Sequence, residues 1–75
     1  MERYRNLSGD SAVKAYECGP EFIRIQFSDG AVYLYTYSST GSYNIEQMKQ
    51  LAKNGRGLNS FISTTVRKAY ARKER

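Results

Sequence analysis

Histidine is absent from the 75 residues, cysteine occurs once, at Cys18, and proline once, at Pro20. Without histidine, a conventional zinc site and the usual nucleophile and base pairs of hydrolytic catalysis lose their commonest member. One cysteine closes no internal disulfide, so the role expected of Cys18 is that of a small buried hydrophobe. Long apolar runs are missing too: no stretch approaches the roughly 20 residues that span a bilayer, and the opening MERYRNLSGD holds no apolar signal core. A soluble, cytoplasmic protein with no membrane partner is the expectation. The acidic residues stand singly, with neither a carboxylate pair nor an Asp-rich metal loop. Gly55-Arg56-Gly57 is too short for a phosphate-binding fingerprint and follows no strand, so it reads as a glycine-rich turn. No catalytic residue, metal or cofactor is expected, and the chain reads as a non-enzyme.

What is there begins with an ordinary globular balance, 40% hydrophobic and 25% charged. A chain this short forms one domain and buries only about 60% of the surface it exposes when unfolded. Its net charge of +5 is unevenly spread. Up to residue 47, six carboxylates outnumber four cations, whereas residues 48–75 carry eight cations against Glu74 alone. A basic C-terminal third is the footprint expected of contact with a polyanion. On this ground Lys49, Lys53, Arg56, Arg67, Lys68, Arg72 and Lys73 are the candidate phosphate contacts, with Tyr43 or Tyr70 available to stack on unpaired bases.

Three segments have strand character: Val13–Cys18, Phe22–Phe27 and a third from Ala31 to Tyr37, joined by short turns, which implies an antiparallel meander. In the third, Tyr33, Tyr35 and Tyr37 alternate along the chain and share a face. A two-residue turn at Asp29-Gly30 puts these tyrosines opposite the aliphatic face. A three-residue loop, Ser28-Asp29-Gly30 with Gly30 left-handed, pairs Ile25 with Tyr33 and Ile23 with Tyr35 and puts them on it. The polar run Ser38 to Ser42 ends the sheet as a connector. From an N-cap at Asn44, Ile45, Met48, Leu51 and Ala52 line one side of a helix stopped at Asn54-Gly55. A second helix carries Leu58, Phe61, Ile62, Thr65, Val66 and Ala69 in one stripe and ends near Tyr70. The expected fold is α+β: a three-stranded meander with two helices on one face, a core spanning about residues 8–70, and residues 71–75 as a frayed basic tail.

A strand ending in Phe27, a turn at Gly30, Tyr33-x-Tyr35, a short amphipathic helix and Gly55-x-x-x-Asn59-x-x-Ile62 together resemble the KTSC domain. This small module also occurs at the C-terminus of some lysyl-tRNA synthetases. The resemblance covers about residues 8–70 and implies contact with RNA. It also implies the three-residue loop, because the family often has acidic residues at the positions of Arg24 and Gln26 and a basic one at that of Leu34. Tyr33 and Tyr35 then pack between sheet and helices. Gly55 and Asn59 match the family's motif and are read as structural first, a left-handed cap and a tie for the inter-helix turn. The chain departs from the pattern at Leu34, at Ser38-Ser39 where Val-Pro is usual, and at Gly57 where an aromatic is common. Leu34 makes the outer sheet face more apolar, which nominates Arg24, Val32, Leu34 and Thr36 as an interface for a second copy or another protein.

Overall fold

Two of the sequence's apolar runs are joined through a single left-handed glycine. In the computed structural model, which describes residues 1–9 and 11–75, Gly30 adopts φ +91° and its amide donates to the Phe27 carbonyl. The Phe27 amide in turn donates to the Ala31 carbonyl, and the Asp29 carboxylate accepts from the Ala31 amide at 3.0 Å. The loop therefore has three residues, and Ile25 faces Tyr33 while Ile23 faces Tyr35. With this register Ile23, Ile25, Tyr33 and Tyr35 share one face, and Arg24, Gln26, Val32 and Leu34 share the other.

The sheet is antiparallel and runs in chain order: β1 (Glu2–Arg3), β2 (Val13–Cys18), β3 (Phe22–Phe27), β4 (Val32–Thr36) and β5 (Arg72–Lys73). The first two of the central three strands have the expected bounds and the third is one residue shorter at each end than the expected Ala31 to Tyr37, with a bulge in β2 between Val13 and Ala15. The two outer strands were not expected. Both are two residues long and lack the β-branched or aromatic content that marks a strand; pairing with an existing edge makes them strands.

The expected frayed tail is thus corrected. Arg72 and Lys73 lie opposite Leu34 and Tyr33, and the amides of Ala71 and Glu74 donate to the carbonyls of Leu34 and Val32 at 2.7 Å each. Side-chain charge holds the pairing on the outer face. Glu74 accepts from Arg24 Nε at 2.8 Å and from Arg72 Nη2 at 3.2 Å, so the ion pairs cross over Leu34 from one neighbouring strand to the other. The guanidinium of Arg24 also lies 4.9 Å from the centre of the Phe22 ring. Beneath this layer Val32 and Leu34 are only 5% and 8% exposed.

On the inner face the core joins Ile23, Ile25 and Tyr35 to Ile45, Met48, Leu58 and Val66, each at most 1% exposed. Full burial of such side chains contributes about 1.5–3 kcal/mol apiece. The core also reaches further toward the N-terminus than residue 8. Tyr4 is buried, and its hydroxyl accepts from the Leu58 amide at 3.3 Å, satisfying a donor that helix geometry leaves free.

Three helical segments cover that face: α1 (Tyr37–Thr40), α2 (Ser42–Asn54) and α3 (Leu58–Phe61), the last running into a π-helical turn at Ile62–Val66. α1 replaces the expected connector. Thr36 Oγ1 accepts from the Ser39 amide and Ser39 Oγ from the Thr36 amide, a capping box that starts two residues before the polar run. α2 starts two residues before Asn44, whose side-chain amide instead donates to the Thr40 carbonyl. The second helix ends as a regular helix at Phe61 rather than near Tyr70. The hydroxyls of Ser63 and Thr64 donate to the Ser60 carbonyl, competing with the backbone ladder, and Ile62, Thr64, Thr65 and Val66 are all β-branched.

Cys18 ends β2 and is exposed, contrary to the buried role expected of it. Local desolvation of the sulfur still pushes the thiol pKa up. No helix among the described residues is long and apolar enough to cross a membrane.

Gly55 caps α2 at φ +78°, its amide donating to the carbonyls of Leu51 and Ala52. The N-terminal segment closes over it: the Leu7 amide donates to the Gly55 carbonyl at 2.7 Å, and Arg5 Nη2 donates to the Lys53 carbonyl at 2.6 Å. A Cβ at position 55 would lie 2.8 Å from that of Arg5. Gly55→Ala is therefore expected to destabilise the fold by about 1 kcal/mol or more, read by denaturant unfolding; an unchanged midpoint would contradict the cap.

Hydrogen bonding to Arg24 holds the Glu74 carboxyl below its ordinary value of 4.5. A carboxyl depressed on folding stabilises above its unfolded pKa, and that contribution is lost as pH falls through the folded one. Protection of the Ala71 and Glu74 amides from hydrogen exchange is expected at neutral pH and is lost as the pH drops below 4.5. Glu74→Gln is expected to lose it already at neutral pH. Protection that survives both changes would show that backbone pairing alone retains the tail.

Candidate nucleic-acid interface

The inner face is not covered to its edge. Where the second helix stops, the β3–β4 hairpin and the segment after Val66 bound an open cleft of about 380 Å³. Its walls are aromatic: Phe27, Tyr33, Tyr35 and Tyr70 all line it. Tyr33 meets Phe27 edge-on at 5.5 Å and Tyr70 at 4.7 Å between ring centres, and Tyr70 meets Tyr35 edge-on at 6.2 Å. Thr40 Oγ1 donates to the Ala69 carbonyl at 2.7 Å and so fixes the turn that carries Tyr70.

Polar groups stand at the same cleft. Ser28 and Asp29 reach it from the hairpin loop and Arg67 from the first residue after the π-helical turn. Lys73 Nζ lies 5.9 Å from the centre of the Tyr33 ring, placed there because β5 pairs Lys73 with Tyr33. Neither Arg67 nor Lys68 takes part in an ion pair among the described residues.

The seven cations nominated from sequence stand on several elements, and two of them are engaged with other groups. Lys49 is committed elsewhere: its Nζ donates to the Pro20 carbonyl at 3.2 Å and to Glu46 Oε2 at 3.1 Å and lies over the Tyr37 ring. That Glu46 carboxylate also accepts from the Tyr37 hydroxyl at 2.6 Å, which lowers the carboxyl pKa and raises that of the phenol. Arg72 is paired with Glu74. Lys53 and Arg56 are exposed at the end of α2, on different elements from Arg67, Lys68 and Lys73. Sequence reasoning missed Arg5, which joins Lys53 through that residue's carbonyl. No local signal marks Arg5, because its partner lies 48 residues away.

Of the tyrosine row, Tyr35 is buried and Tyr33 half-buried in the cleft wall, while Tyr37 leaves the sheet to begin α1. Tyr43 is 74% exposed on α2, and Tyr70 is in the cleft. Gly55 has the left-handed cap expected of it, and Asn59 sits in the first turn of α3 beside a small polar recess shared with Ser8, Ser11 and Ser60.

The nominated protein interface is altered most. Val32 and Leu34 are not an exposed apolar patch, and Arg24 is tied to Glu17 and Glu74. Thr36 spends its hydroxyl on the α1 capping box. The ground for this interface was an uncovered Leu34, and the C-terminal strand covers it. No family model, curated protein or solved structure matches the chain, so the functional reading rests on these residues and their geometry.

Proposed function

We propose that this chain is a small non-catalytic module that binds single-stranded nucleic acid, RNA in preference to DNA. One observation carries the reading: an open aromatic cleft with Arg67 in its wall, in no ion pair among the described residues, and Lys73 over one of its rings. Unpaired bases stack on such rings irrespective of sequence, and adjacent cations hold the phosphates. RNA is preferred because its recognition commonly targets unstacked bases in loops and ends. The resemblance to the KTSC domain implies the same class of partner.

In this reading the contacts are Arg67 in the cleft wall, Lys73 over the Tyr33 ring and Lys68, which follows Arg67 in the chain. Lys53 and Arg56 extend the track only where the strand is long enough to reach the end of α2. A cleft of about 380 Å³ is at the lower end of the roughly 300–1,000 Å³ of small-ligand pockets, which suits one ring system rather than a run of stacked bases.

Binding is expected to weaken with salt at a slope of roughly −2 in log K against log salt, the value for about three phosphate contacts on a single strand, instead of roughly −5 for seven. Arg67→Ala is expected to lower the slope and the affinity, and Lys49→Ala to leave both unchanged. Amide NMR titration with short single-stranded RNA, compared with DNA of the same sequence, reads the site directly. Shifts centred on Tyr33, Arg67, Tyr70 and Lys73 are the expected result. No shifts at low salt would overturn the reading and return the basic residues to the role of a solvated surface.

A further inference from the structure

One of the cations at the cleft is placed from the other side of the sheet. Lys73 reaches the Tyr33 ring because β5 pairs the two residues, and strand alternation turns its neighbours Arg72 and Glu74 to the outer face. Lys73 is in no ion pair among the described residues, so its own side chain does not hold the strand. A strand of two residues offers few ladder hydrogen bonds, and so short a segment at a sheet edge opens easily. The Glu74 carboxylate adds a tether that reaches past β4 to the strand beyond it. Arg24 Nε on β3 lies 2.8 Å away, and the Arg24 and Glu74 side chains are 29% and 21% exposed. Arg24 is itself anchored, over the Phe22 ring and by Glu17 at 3.5 Å. Arg67 needs no such tether, because it enters the cleft wall directly after the π-helical turn.

We propose that Glu74 is a positioning residue for nucleic-acid binding: it holds β5 to Arg24 on the outer face and thereby keeps Lys73 over the Tyr33 ring on the inner one. This role rests on the nucleic-acid reading above. The sign of the effect separates it from simple electrostatics. A carboxylate repels a polyanion, so on charge alone its removal tightens binding. Glu74→Gln raises the net charge from +5 to +6, twelve cations against six carboxylates, and also releases Arg24 and Arg72 from Glu74. As a positioning residue Glu74 has the opposite effect: without it the strand and its lysine must be ordered again in every binding event, which costs affinity. Glu17 supplies the control. Its carboxylate also meets Arg24, and its loss changes the net charge equally, but it stands on β2 and holds no part of β5.

The test is calorimetric titration of the intact chain with oligouridine of about eight nucleotides, within the length range that single-stranded binding sites accommodate. At about 0.1 M salt Lys73→Ala is expected to weaken binding about fivefold, the share of one phosphate contact on a single strand. Glu74→Gln is expected to weaken it about threefold, as befits the reordering of one long side chain, and Glu17→Gln to leave it equal or tighter. With Lys73 already replaced by alanine, Glu74→Gln is expected to weaken binding no further, since no lysine is left to position. Without RNA, nuclear Overhauser contacts between the Lys73 side chain and the Tyr33 ring are expected in the unaltered chain and lost in Glu74→Gln. A Glu74→Gln chain that keeps those contacts, binds oligouridine as tightly as the unaltered chain or tighter, or loses as much affinity without Lys73 as with it would overturn the inference and leave nucleic-acid binding in place. If the unaltered chain does not bind at low salt, the nucleic-acid reading falls and the positioning role with it.

Discussion

The register of the β3–β4 hairpin is the constraint on which the rest of the structure depends. It is decided by a few atoms: a left-handed Gly30, the Phe27 and Ala31 backbones, and an Asp29 carboxylate that braces the loop. A slip of one residue would exchange the two faces of β4. Tyr33 and Tyr35 would then face away from the helices, and Val32 and Leu34 would take their place in the core. In the register observed, the large rings enter a core built with Ile45, Met48, Leu58 and Val66, and two aliphatic residues are left on the opposite face with no helix to cover them.

The C-terminal strand answers that second consequence. A chain of this size has no third layer to spare, so the cover consists of charged side chains laid across the sheet. Arg24, Glu74 and Arg72 meet over Leu34, and the same alternation that turns Arg72 and Glu74 outward turns Lys73 inward toward Tyr33. One short segment thereby shields the outer face and supplies a cation to the inner one. Partly exposed ion pairs are individually weak, and here they act together with the hydrogen bonds to the carbonyls of Val32 and Leu34, so that loss of the charged pair loosens the backbone pairing as well.

How much of this was legible in the sequence follows from the range of the interactions involved. The central hairpins and α2 are specified by local signals: turn chemistry at Gly30, apolar spacing in α2 and the cap at Gly55. Their reading from sequence needed no distant partner. The register was not decided by the turn residues alone, since Asp-Gly permits two loops; the family resemblance pointed to the one observed. β1, β5 and the burial of Tyr4 were illegible because each depends on an edge or a helix end some ten to fifty residues away. In Ala-Arg-Lys-Glu-Arg the strand alternation is only a few residues long, and composition there suggests a solvated tail. The cleft was half legible: the tyrosines were placed correctly on the core side, but their incomplete covering was not foreseen.

That incomplete covering has a cause in the second helix. Continued as a regular α-helix to Tyr70, the segment would have kept its apolar stripe against the sheet, ending with Ala69 above the tyrosines, and would have turned Arg67 away from it. The run Ile62-Ser63-Thr64-Thr65-Val66 resists this, because its hydroxyls compete for the Ser60 carbonyl and its branched side chains crowd the turn. The helix widens and stops, Ala69 is held by Thr40, and Tyr70 turns its edge to Tyr33 and Tyr35. The cleft and the π-helical turn thus have one origin. A local conflict in helix chemistry, retained where an uninterrupted helix would pack better, leaves aromatic side chains and an arginine in no ion pair among the described residues around one opening, and such conflicts concentrate where a fold gives up packing for function.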